Sequence, residues 1–132
     1  MIPKFRAWDK KLKKMFEVSF IDLDTKLIGL NIDLEIIIFD FEDIILMQST
    51  GLKDKNGKEI FEGDAIAIEV DDTGMPINAR VFQNSKIGVL MFHVFEDNED
   101  VPMVELLEGN SVEFAIIGNI WEHPELAEVS HD

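Results

Sequence analysis

Cysteine is absent from the 132 residues. That excludes a disulfide framework, thiolate zinc sites and cysteine catalysis, and it fits a cytoplasmic protein. No apolar run approaches the ~18 residues of a membrane-spanning helix, so no membrane partner is expected. The opening Met1-Ile2-Pro3-Lys4-Phe5-Arg6 has no apolar stretch after its charges, which argues against a secretory signal. Long helical periodicity is scarce, and neither an internal repeat nor a low-complexity segment occurs. Basic residues are few, 12 against 27 acidic, giving a net charge of −15.

What is present is a globular composition, 46% apolar and 30% charged. The length suits one domain or two very small ones. Charge is unevenly placed. Lys4, Arg6, Lys10, Lys11, Lys13 and Lys14 face only Asp9, so residues 1–14 carry +5 and the remainder −20. An acidic body repels nucleic-acid phosphates, so direct nucleic-acid binding is not favoured. The basic head suits an acidic partner or an acidic patch on a sister subunit, which makes homo-oligomers by head-to-body contact an expectation. A solvated, highly charged surface is the plainer reading.

Period-2 alternation recurs. It predicts strands at Lys4–Trp8, Met15–Leu23, Leu27–Ile32, Asp33–Phe41, Ala65–Val70, Ile77–Phe82, Ile87–Phe95, Val101–Leu107 and Val112–Ile120. Residues 41–47 read equally as strand or helical turn. Polar residues dominate 48–64, and Asn56-Gly57 there marks a tight turn. Turns are expected at 71–76 and 108–111, an acidic loop at 96–100, and a helical turn at 125–129. The predicted fold is mostly β, or α+β. It comprises an N-terminal antiparallel region at 1–47, a junction at 48–64 and a C-terminal small barrel-like β region at 65–132.

Several chemical motifs fail on spacing. Gly51 and Gly57-Lys58 miss the phosphate-binding loop, because five residues intervene and Glu59 follows the lysine. Aligning Gly57 with the glycine of a calcium loop puts Leu52 and Gly63 at ligand positions, which neither can fill. His93, His123 and His131 are too far apart for a metal pair. His93 lies in an apolar strand and reads as a hydrogen-bonded structural residue. Ser49, Ser85, Ser111 and Ser130 lack a nucleophile-elbow context. Asp22 and Asp24, Asp33 and Glu35, and Asp40 and Glu42 each sit two apart. On a strand each pair points to one face, where it could hold a hard cation or form an acid/base couple. The wet face of a sheet accounts for them equally. Phe5 and Trp8 interleave with Lys4 and Arg6, a pattern open to single-stranded nucleic acid or to an internal cation–π contact.

The polar run from Met47 to Asp64 resembles the central signature of the YopX family, small proteins of phages and prophages of mainly Gram-positive bacteria. Lys4-Phe5-Arg6-Ala7-Trp8-Asp9 resembles that family's opening, and Ile116–Leu126 its closing motif. The three blocks stand in the family's order and span nearly the whole chain. The resemblance implies a mostly β fold with an N-terminal portion and a C-terminal barrel-like portion. It implies no catalytic residue, cofactor or metal. The matching positions are Arg6, Trp8, Asp9, Thr50, Gly51, Lys53, Asp54, Gly57, Gly63, Asp64, Gly118 and Asn119. Turn and bulge geometry accounts for Gly57, Gly63-Asp64 and Gly118-Asn119. Arg6, Trp8, Lys53 and Asp54 stand as an interdomain lock or a binding patch. The functional expectation is a non-catalytic phage accessory protein in the cytoplasm of a bacterial host. It would bind a host or phage macromolecule, in the sharper version a basic host protein met by a DNA-mimicking acidic surface. The alternatives are a metal-dependent hydrolase using the paired carboxylates, and single-strand binding by the basic head.

Overall fold

A computed structural model describes residues 4–70, 75–84, 88–107 and 112–127. The chain divides into two compact units, Met1–Ser49 and Thr50–Asp132. Mostly β is the outcome, as the alternation predicts. Among the described residues no helix is long and apolar enough to cross a membrane.

The first unit holds β1 (Phe5–Asp9), β2 (Lys14–Asp22), β3 (Leu27–Ile32), β4 (Glu35–Asp40), a 3-10 turn (Phe41–Asp43) and the start of β5 (Ile44–Lys53). Hydrogen-bonded order runs β4-β3-β2-β1-β5, with β6 (Glu59–Phe61) beyond β5. Every pair in the first unit is antiparallel. Alternation explains which side chains leave water. Ala7, Ile28, Leu30 and Ile44 form the buried cluster, flanked by Phe16, Val18, Ile21, Ile32, Phe39 and Phe41. The β3–β4 turn has two residues, Asp33 and Leu34, both at positive φ (48° and 70°). That is the twist a two-residue hairpin demands.

The second unit holds the end of β5, β6, β7 (Asp64–Val70), β8 (Ile77–Asn84), β9 (Val89–Val94), β10 (Glu99–Pro102), α1 (Met103–Leu107), β11 (Val112–Asn119) and a 3-10 turn (Pro124–Ala127). Its five-stranded sheet has the order β10-β9-β8-β7-β11. The ladder stays open between β10 and β11 among the described residues. Ile60, Ile66, Ile68, Ala79, Val81, Phe92, Met103 and Phe114 form the core. The rings of Phe92 and Phe114 meet at 5.9 Å and 49°.

One local expectation changes. The strand expected at Val101–Leu107 breaks at Pro102, whose fixed φ and missing N–H suit a helix start. Helix α1 then turns Met103 into the core and leaves Val104 in water. Residues 41–47 are both things in sequence, a 3-10 turn and then strand. Within the polar run at 48–64, β5 continues to Lys53 and β6 follows at Glu59–Phe61. Ser85, Ser111, Ser130, His131 and the 108–111 turn lie outside the described residues, as do parts of the expected 71–76 turn, Ile87 strand and 125–129 helical turn.

Candidate functional site

The twelve signature positions gather into three clusters, one in the first unit and two in the second. In the first, β1 sends Ala7 into the core and sets Arg6 and Trp8 on the opposite face. Arg6 pairs across to Glu17 and Met47, and Trp8 to Met15 and Ile45. Trp8 is buried, and Asp9 is only 2% exposed. Asp9 closes the β1–β2 turn. Its Oδ1 accepts the N–H of Lys11 (2.9 Å) and Leu12 (3.3 Å), and its carbonyl accepts that of Lys13 (2.8 Å). Lys10 reaches the Glu42 carbonyl through Nζ at 2.9 Å. Around this turn lies an open depression of about 510 Å³, lined by Asp9, Lys10, Lys11, Leu12, Phe39 and Asp43.

The second cluster is the β5–β6 hairpin. Thr50 Oγ1 donates to the Ile60 carbonyl (2.7 Å) and accepts the Leu52 N–H (3.1 Å). Gly51 and Gly57 take positive φ, 80° and 82°. Asp54 is buried, and one carboxylate oxygen accepts the N–H of Asn56 (2.9 Å) and Lys58 (2.8 Å). The other accepts the N–H of Ile116 at 3.4 Å, on β11. The Lys58 N–H holds the Asp54 carboxyl below the ordinary carboxylate range, helped by those of Asn56 and Ile116 and by the Lys58 charge, with burial opposing. Lys53, Lys55 and Lys58 are exposed around the hairpin.

At the far end of β11 lies the third cluster. Asn119 pairs with Asp64 across β11–β7. Asp64 Oδ2 accepts the Phe61 N–H at 2.8 Å. Gly63 donates to Val81 O (2.8 Å) and accepts from Ile120 N (3.0 Å). Asn119 Oδ1 accepts the N–H of Trp121 (3.1 Å) and Glu122 (2.8 Å), and its amide donates to Glu122 Oε1 (2.7 Å). A β-bulge separates Ile116 from Gly118. Side-chain oxygens of Asp9, Asp54, Asp64 and Asn119 thus accept main-chain N–H groups. They build turns and junctions.

The paired carboxylates do not share strand faces as the sequence suggests. Asp22 ends β2 and caps its turn, accepting the N–H of Asp24 (3.0 Å) and Thr25 (3.4 Å). The Thr25 side chain first, then these N–H groups, hold its carboxyl below the ordinary range. Asp24 and Asp33 sit in turns, and Glu42 in the 3-10 turn. Alternation does not continue through a turn, which is why the two-apart spacing misleads here. Among the described residues, no three His, Cys, Asp or Glu side chains gather closely enough to hold a metal ion. His93 Nδ1 lies 2.7 Å from Asp100 Oδ1, and Arg80 stacks over Phe82 at 5.4 Å.

Two surface features escape the sequence reading. Glu69 and Glu113 stand directly opposite each other on β7 and β11, both exposed. Only a correct strand register could have paired them. Ile36, Ile37 and Ile38 on β4 are all exposed. The signal was there, because three consecutive isoleucines cannot all face one core.

No curated protein matches the chain. Crystal structures of other proteins resemble it, two bacterial ones among them. One, of an Enterococcus faecalis protein, is 28% identical over 96% of this chain and 98% of that one, with a TM-score of 0.56. The other, of protein yopX from Bacillus subtilis, is 20% identical over 93% and 96%, with a TM-score of 0.60. The second likeness is one of fold. The family model described as YopX protein matches residues 4–128. With that match covering nearly the whole length, this chain belongs to the YopX family.

Proposed function

We propose that the chain is a non-catalytic interaction module, a phage or prophage accessory protein acting in the cytoplasm of a bacterial host. Its partner is a basic macromolecule, bound by the acidic surface of the second unit in the manner of a DNA mimic. The observation that carries this reading is the Glu69–Glu113 pair. Like charges placed opposite each other on a sheet are destabilising, so this arrangement costs the fold and serves an incoming cation. Exposed Glu96, Asp97, Glu99 and Asp100 crowd the β9–β10 turn of the same unit. Residues 50–132 hold 18 acidic and 5 basic residues. Turns, rather than shared strand faces, hold Asp24, Asp33 and Glu42 of the paired carboxylates, which favours a binding scaffold over the hydrolase alternative.

The test is a nuclease-treated pull-down from bacterial lysate at low and moderate salt, using the wild type and the Glu69→Gln/Glu113→Gln double variant. The expected result is a basic protein that elutes as salt rises and is depleted in the double variant. Capture indifferent to both salt and the substitutions would overturn the reading.

A further inference from the structure

We propose that β4 is a docking edge and that its occupant is the β4 strand of a second copy of this chain. Strand β4 belongs to the first unit, whereas the Glu69–Glu113 pair belongs to the second. Strand β4 ends its sheet, next to β3 alone in the hydrogen-bonded order. The two-residue turn makes Ile32 and Glu35 a mutually hydrogen-bonded pair, so Leu30–Ile37 and Ile28–Phe39 are such pairs too. The N–H and C=O groups of Ile36, Ile38 and Asp40 therefore point away from β3. Such an edge is matched by extended backbone.

Side chains reinforce it on both faces. Ile36, Ile37 and Ile38 are 54%, 40% and 59% exposed. Ile36 and Ile38 share the outer face with Phe20, whose ring lies over Gly29. A Cβ on Gly29 would overlap that ring and approach Ile36 Cγ2 within 2.9 Å. The result is a continuous apolar ledge. The other sheet edges are blunted. Strand β6 has three residues. Strand β10 carries Glu99, Asp100 and Pro102. The outer edge of β11 is capped where Lys55 N donates to Phe114 O at 2.8 Å and where Asp54 accepts from Ile116 N. Between Glu35 and Asp40, β4 has neither charge nor proline.

Symmetry and charge select the second copy. Antiparallel pairing matches outward-facing residues with outward-facing ones, so a two-fold axis can pass through Ile37. Ile37 then faces the partner's Ile37, Ile36 faces the partner's Ile38, and Glu35 faces the partner's Phe39. The offset that would set Glu35 against the partner's Asp40 matches an inward residue with an outward one and is excluded by the hydrogen-bond phase. Residues 1–49 hold 7 basic and 9 acidic residues, a net of −2, against −13 for residues 50–132. The open edge thus lies on the less charged unit, where two acidic chains can approach with least repulsion.

Sedimentation velocity from micromolar to millimolar protein tests this, alongside amide hydrogen exchange read by NMR. Dimers are expected, with the Ile36 and Ile38 amides slowing as dimer accumulates and the Ile37 amide protected throughout. Ile38→Lys, at an exposed site, leaves the melting temperature of the dilute monomer in place and weakens association by about tenfold or more. Monomers across the whole range overturn the proposal. So does a dimer indifferent to Ile38→Lys in which the Ile36 and Ile38 amides exchange freely.

Discussion

Asp54 ties the fold to proton concentration. Its carboxylate accepts three main-chain N–H groups, two from the β5–β6 connection and one from β11, and these stabilise the charged form. Because its folded pKa lies below its unfolded one, its contribution is full above the ordinary carboxylate range. It is lost as pH falls through the lowered folded value. Asp54→Asn is therefore expected to lower the melting temperature by a few degrees at neutral pH and to flatten the acid limb of stability. Urea melts of both proteins from neutral to acidic pH check this. Equal slopes on the acid limb would assign the acid sensitivity elsewhere, with Asp22 next in line.

At the scale of elements, the β3–β4 hairpin carries a local mismatch. Leu34 sits at φ 70° with its side chain wholly in water, although an L residue in that region costs about 1–2 kcal/mol. Leu34→Gly creates the Asp-Gly turn that such hairpins favour. It is expected to stabilise the chain by about 1 kcal/mol, read as a higher urea midpoint at unchanged slope. Strands were legible in the sequence because burial on one face imposes period 2, and most of the alternating segments are strands. Helix α1 was not, because Val101-Pro102-Met103-Val104 alternates too weakly to separate a short strand from one helical turn. The Asn56-Gly57 turn was legible from residue type alone, and Gly57 has the positive φ that the pair foretells. The roles of Asp54, Asp64 and Asn119 were not, because their partners are main-chain groups brought near by folding, Ile116 lying 62 positions from Asp54.

Across the whole molecule, charge works against stability. A net −15 repels itself, and salt screens that repulsion over a Debye length of about 10 Å at 0.1 M. Relieving the Glu69–Glu113 conflict should help likewise. Glu113→Gln is expected to stabilise by about 0.2–1 kcal/mol, measured in low-salt thermal melts, with the gain shrinking as salt is added. The same substitution should weaken capture of a basic partner, the opposition expected wherever a surface serves binding at the expense of folding.

The main-chain bonds of Asp9, Asp54, Asp64 and Asn119 also bear on descent. A motif whose polar atoms serve the chain's own turns is held in place by selection for folding, whatever the protein goes on to meet. Exposed strands carry no such constraint, so they can vary while the turns stay built. Kinship read from that motif traces ancestry of the scaffold and by itself carries no partner.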